Sequence, residues 1–218
     1  MTERSLTKVF DPDCTRCPRL ARYLAQTRKR HPDYWARPVP SFGAAEPRIV
    51  VVGLAPGMHG GNRTGRPFTG DHAGILLYET LHAFGLASQP VSRAAGDALV
   101  LRATRIVNAV KCVPPENRPS PEEIRRCNRY LAHELKELRD VRVYLALGRI
   151  AHDALLVALG LVRARYPFAH GRVHSLGVQH LVDSYHCSRY NTSTRRLTPD
   201  MFRAVVGAAC RLAGLALP

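Results

Sequence analysis

Two kinds of apolar run alternate along the chain. Arg48 to Gly53 (RIVVVG) is short, uninterrupted and rich in β-branched residues, the pattern of a strand buried on both faces. From Gly74 to Gly85 the apolar residues Ile75, Leu76, Leu77, Leu81 and Phe84 fall near helical spacing instead, and Gly85 supplies the stop. Ala103 to Val110 predicts a second strand. Ser120, Pro121 and Glu123 then form a capping box with proline in the first turn, so a helix is expected to start near Pro121. Its Ile124, Cys127, Tyr130, Leu131, Leu135 and Leu138 step by three and four, which puts Cys127 on a buried stripe. Val141 to Leu147 predicts a strand, Arg149 to Leu159 a helix ended by Gly160, His180 to Ser184 a further strand, and Thr198 with Pro199 a final helix. Strands alternating with helices define the α/β class: a three-layer α/β/α sandwich around a central, mainly four-stranded parallel sheet, read as one domain over residues 1–218. Tyr34 to Gly43, with two prolines and the only tryptophan, is expected to wrap the surface ahead of the first strand. Sites in such sheets lie beyond the carboxyl ends of the strands, which directs attention to the loops after Gly53, Val110, Leu147 and Ser184.

Charge adds a partner to this picture. Lys and Arg total 32 against 17 Asp and Glu, a formal +15, so an acidic polymer is the partner to test first. A length of 218 residues suits one sizeable core. No run reaches the roughly 18 apolar residues of a membrane helix, and Met1 to Val9 lacks the apolar core of a secretory signal. The expectation is a cytoplasmic, nucleoid-associated monomer that engages no membrane.

Without export, the six cysteines read as metal ligands or reduced thiols before disulfides. Cys14 and Cys17 form a C-x2-C pair, and Cys112 and Cys127 are separated by fourteen residues. Four such thiolates suit a structural zinc or an iron-sulfur cluster, and spacing does not decide between these or two core thiols beside a fortuitous pair. Cys210 falls on the apolar stripe of the last helix and reads as a core thiol.

Residues 53–71 (GLAPGMHGGNRTGRPFTGD) carry six glycines and two prolines directly after the first strand. Such a loop lets backbone approach a ligand closely, but it does not fit G-x-x-x-x-G-K-[ST] and lacks a phosphate-binding lysine. Together with NAVKCVPPENRP at 108–119, HCSRYNTSTRRLT at 186–198 and the four cysteines, this loop resembles those of bacterial and archaeal family 5 uracil-DNA glycosylases. The resemblance runs from about Cys14 to the final helix.

The resemblance implies the uracil-DNA glycosylase fold and a structural 4Fe-4S cluster on Cys14, Cys17, Cys112 and Cys127. That cluster would staple the N-terminal segment to the loop and helix after the second strand. The implied substrate is DNA containing uracil or other deaminated bases, such as hypoxanthine or xanthine. His186 matches the family's motif histidine, which would hydrogen-bond the departing base. Family 4 places an acid directly after the first glycine of the loop. Leu54 stands there in this sequence, so the water-orienting role moves to Asp71, with Asn62 and His59 in reserve; an aspartate before a helix is equally a good N-cap. Phe68 would stack on the extruded base or pack in the core, and the Gly53, Leu54, Ala55 and Gly57 backbone would meet the base's oxygens. Asn108 matches the asparagine that in family 4 reads the pyrimidine's imide edge. Arg63, Arg66 and the loop bearing Ser188, Arg189, Tyr190 and Asn191 are the candidate DNA contacts, Tyr190 doubling as a wedge. Cys187 departs from the proline or apolar residue that relatives commonly carry after the histidine. The competing readings are a catalytically silent metal-cluster DNA-binding protein and a superfamily member that traps the sugar covalently through an inserted histidine loop, which this chain does not show.

Overall fold

The apolar run after Arg48 forms a strand buried on both faces, and the sheet is built around it. The computed structural model describes residues 10–216; the Met1 to Val9 reading therefore lies outside the described residues. In chain order the elements are α1 (Pro18–Arg30), β1 (Phe42–Gly43), β2 (Ile49–Gly53), α2 (Gly61–Thr64), α3 (His72–Ala83), β3 (Thr104–Asn108), α4 (Pro121–Glu137), β4 (Val143–Leu147), α5 (Arg149–Ala158), β5 (Val173–Ser175), β6 (His180–Ser184), α6 (Arg189–Ser193) and α7 (Pro199–Leu212). The sheet order is β1-β3-β2-β4-β6-β5. The four inner strands are parallel, and β1 and β5 pair antiparallel at the two edges.

Alternation along the inner strands sorts side chains into two cores. Ile49, Val51, Ile106, Leu145 and Val182 face Leu77, Tyr78 and Leu81 of α3 and Phe202, Val205 and Val206 of α7. Val50, Val52, Val107, Tyr144 and Ala146 face Leu131 and Leu135 of α4 and Leu155 and Leu156 of α5. This is the three-layer α/β/α arrangement. A third, smaller cluster joins Leu20 and Leu24 of α1 to Val110, Cys112, Val113, Cys127 and Tyr130.

Local signals set the helix ends. Ser120 and Glu123 complete the capping box of α4, and Asp71, Ser188 and Thr198 cap α3, α6 and α7. Helix α3 stops at Gly85 (φ +70°), where Leu86 N–H donates to Leu81 O and Gly85 N–H to His82 O. Glu123 also accepts two bonds from Arg19, at 2.9 and 2.7 Å, which pins α1 onto α4.

One expectation is corrected. The segment from Tyr34 to Gly43 does not simply wrap the surface. Ala36, Pro38 and Val39 are buried, Val39 N–H donates to Lys111 O at 2.7 Å, and the segment ends in β1. No helix among the described residues is long and apolar enough to cross a membrane.

Neighbouring strands β2 and β4 send their chains to opposite faces, β2 towards α3 and β4 into α5. The crevice between their carboxyl ends is the switch point at which α/β sheets bind ligands.

Candidate active site

A cavity of about 480 Å³ opens at that crevice. Its wall comes from the loop after β2 (Leu54, Ala55, Gly57, Phe68, Asp71), the start of α3 (His72, Ala73), the end of β4 with the start of α5 (Leu147 to Ala151), and the loop after β6 (His186, Ser188, Arg189). Asn117 reaches it from the loop before α4. Four separate segments thus meet at one end of the sheet.

Asp71 has both roles open to it. Oδ1 accepts Gly74 N–H at 2.9 Å and caps α3. A Cβ on Gly60 would overlap Oδ2, and one on Gly57 would lie 3.3 Å from it, so this carboxylate sits where only glycine leaves room. Burial pushes its pKa above the ordinary carboxyl value, against amide hydrogen bonds from Gly74 and Ala73 that favour the anion. Gly60→Ala should therefore displace the carboxylate. We expect the single-turnover rate at this site to fall by about 10²-fold and stability to fall by the roughly 1 kcal/mol that a lost helix cap costs, as kinetics beside thermal unfolding would read.

His186 follows β6 at the opposite wall. Burial lowers its pKa to about 4, so the ring is neutral at neutral pH. Its main-chain carbonyl is held by Asn191 Nδ2 at 2.8 Å. The ring lies 5.7 Å from that of Phe68 at 31°. Phe68 itself is buried at φ +53°, a conformation rare for an aromatic residue, with its carbonyl where any side chain on Gly74 would overlap it. The Tyr78 hydroxyl donates to Pro67 O at 2.9 Å and braces that turn.

Asn108 ends β3 beside Gly53. A Cβ on Gly53 would lie 2.5 Å from Asn108 Oδ1 and 2.7 Å from Phe68 Cε2, so both side chains close on position 53 only because it carries none. Asn108 Oδ1 is buried with no hydrogen-bond partner. A buried amide left unpaired is costly unless a ligand completes it.

Other residues singled out from the sequence lie elsewhere. Asn62 is wholly buried away from the cavity, with Nδ2 3.6 Å from Met58 Sδ. His59 meets Tyr34 OH at 2.8 Å on the outer surface. Arg66, expected at the DNA, is 4% exposed: it pairs with Asp97 at 2.7 Å, donates to Thr69 and Ser92, and lies over the Phe42 ring. Its charge is better matched to Asp97 than to solvent, and it fastens the glycine-rich loop to residues 92–97. Asn191 is occupied in holding the His186 loop. Tyr190 is 71% exposed, and Ser188 and Arg189 line the cavity. Cys187 and Cys210 are buried core thiols.

The sequence reading missed His72, Asn117, Arg149 and Ile150 as wall residues. His72 and Arg149 immediately follow helix-start signals, which was the available clue. It also missed a polar cluster at β6: His152 Nδ1 lies 2.7 Å and His174 Nε2 3.3 Å from the Asp183 carboxylate, while His152 Nε2 meets Tyr166 O at 2.8 Å. Burial lowers the His152 pKa, but its bond to Asp183 outweighs that and the net shift is upward. These three could group around a cation, yet their atoms already satisfy one another.

Cys14, Cys17, Cys112 and Cys127 converge on a small cavity of about 20 Å³ between α1, α4 and the loop after β3. None of the four is in a disulfide, and Lys111 N–H points to Cys127 Sγ at 3.3 Å. Burial and the neighbouring thiols raise the pKa of Cys112. Burial also lifts Cys127, to about 11, although the Lys111 amide and charge act against it. Four thiols in one apolar pocket need a cationic centre to ionise together, so the donor set fits a sulfur-ligated metal group.

A parallel sheet with its cavity at the β2–β4 switch point, a glycine-rich loop cradling an acid and a histidine after the last inner strand define a class. The model of the uracil DNA glycosylase superfamily matches residues 40–209. Among individual relatives, the type-5 uracil-DNA glycosylase of Thermus thermophilus is 53% identical over 208 residues, covering 93% of this chain and 94% of that protein. The type-5 uracil-DNA glycosylase of Pyrobaculum aerophilum is 42% identical, covering 93% and 90%. The type-4 uracil-DNA glycosylase of Archaeoglobus fulgidus is 40% identical over 114 residues, covering 52% and 49%. The chain belongs to the uracil-DNA glycosylase superfamily, in its type-5 branch.

Proposed function

We propose that this protein is a monofunctional DNA glycosylase that hydrolyses the N-glycosidic bond of uracil in DNA and leaves an abasic site. The observation that carries the reading is the convergence of Asp71, His186 and Phe68 on one cavity, with the unpaired Asn108 Oδ1 close by at Gly53. Breaking the bond makes the sugar oxocarbenium-like and gathers negative charge on the base, while water attacks the anomeric carbon. The extruded pyrimidine stacks on Phe68. Neutral His186 donates a hydrogen bond to the base oxygen as charge develops there, without giving up a proton. Ionised Asp71 orients the water, accepts its proton as the bond to the sugar forms, and offsets the sugar's positive charge. Chromatographic identification of free uracil released from a uracil-containing duplex tests the reading; cleavage of the strand without free base would overturn it.

Asn108 sharpens the base preference, because an amide presents both donor and acceptor to the imide edge. Asn108→Ala is expected to lower uracil release by about 5- to 150-fold more than hypoxanthine release, the equivalent of the roughly 1–3 kcal/mol of a buried polar contact. Equal losses on the two duplexes would remove the role.

Cys14, Cys17, Cys112 and Cys127 fit a 4Fe-4S cluster, which supplies a structural cross-link and no redox step. It would hold α1 against α4 and fix the loop that delivers Asn117 to the cavity. Protein purified without oxygen should contain about four iron and four sulfide per chain, and chelation should lower the melting temperature. A single zinc per chain would contradict the assignment. We further propose that the protein acts as a monomer on nucleoid DNA, in keeping with its formal charge of +15.

A further inference from the structure

Beside the site cavity lies a second groove of about 410 Å³, lined by Arg63, Gly70, Asp71, His72, Glu79, Arg93 and Arg189 among others. The two share Asp71, His72 and Arg189, so they form one continuous path around the start of α3. Three arginines reach the groove from α2, from the loop before β3 and from α6. None of the three has a carboxylate partner among the described residues, unlike Arg66 beneath the groove, which is paired with Asp97.

The groove is held in shape from beneath. Arg66 ties the glycine-rich loop to Ser92 and Asp97, and Gly70 N–H donates to Ser92 O. Asp97 also accepts the amides of Arg93 and Leu99. Burial would raise its pKa, but these bonds hold it at about 2. The Arg93 side chain is thus projected from a turn made rigid by its own backbone. Arg63 is fixed by Nε donating to His59 O at 2.8 Å, and His72 Nε2 meets Thr192 Oγ1 at 3.0 Å where the two hollows join.

We propose that this groove binds a phosphate flanking the extruded nucleotide on the same DNA strand, with Arg93 as its principal cation and Arg63 and Arg189 as supporting ones. Three guanidinium groups without a carboxylate partner, Arg63 anchored through its Nε, match a phosphodiester, and the shared wall puts that phosphate next to the nucleotide in the site cavity. The proposal rests on the glycosylase reading and extends it to the strand's path.

Arg93→Ala keeps the turn intact, since only the backbone of Arg93 bonds Asp97. Binding to a duplex carrying a tetrahydrofuran abasic-site mimic would be measured by fluorescence anisotropy from 50 to 200 mM salt. Arg93→Ala should reduce the slope of log affinity against log salt by about 0.9, so that its defect is about threefold larger at the low-salt end; Arg93→Glu should lose more. A neutral methylphosphonate placed in turn at the two phosphates on either side of the mimic should, at one position, reproduce the loss and abolish any further effect of Arg93→Ala. An unchanged slope, or effects that multiply at every position while the wild type still releases uracil, would overturn the groove and spare the glycosylase reading. Failure of the wild type to release uracil would overturn that reading itself.

Discussion

Asp71→Asn should lower the single-turnover rate of uracil release by about 10²–10⁴-fold, the range of a positioned general base. Asparagine keeps the size of the side chain and its Oδ1 acceptor for Gly74 N–H, so the cap of α3 and the fold are expected to survive. What it loses is the negative charge beside Gly57 and Gly60. The pH dependence separates this account from a capping role. Wild-type activity should fall as pH drops through the Asp71 pKa, which burial places above the ordinary carboxyl value. Protonating His186 near pH 4 leaves it a hydrogen-bond donor, so it should add no acid limb of its own. Asp71→Asn should therefore be slow and flat across the acid range. A variant with a normal rate, or with the acid limb intact, would reduce Asp71 to a helix cap.

His186→Ala should cost about 10²–10³-fold in the same assay, as removal of one preorganised oxyanion donor does. The loss belongs in the chemical step, so affinity for an abasic duplex should change little. The ring packs against that of Phe68, and nothing but desolvation perturbs its pKa, so no protein charge competes for it. Because a neutral imidazole is the donor, His186→Gln should recover part of the rate. Loss of binding in step with rate would make His186 a packing residue.

The inner strands and the starts of α3, α4, α5 and α7 were legible because their signals are local, while the short α2 and α6 were not. Doubly buried strands read as solid apolar runs, and capping residues at 71, 120 and 198 act within one turn. β1 and β5 were not legible: two or three residues pairing at a sheet edge leave no periodicity to detect. Resemblance in the loops after β2 and β6 carried Asp71, Phe68 and His186, which the fold then brought to one cavity. Arg66 went astray because sequence spacing does not distinguish a solvated arginine from one whose partner, Asp97, lies 31 residues away. Asn62 sits in the right loop but turns inward to Met58. The second groove was invisible for the same reason, since its three arginines come from segments far apart in sequence.

Alkaline cleavage of end-labelled duplexes, each holding one uracil, hypoxanthine or xanthine, tests the central claim most directly when wild type is run beside Asp71→Asn and His186→Ala at matched salt. The account predicts uracil release by wild type that collapses in both variants while both still bind the duplex. Folded wild type that binds DNA and releases no base would contradict it.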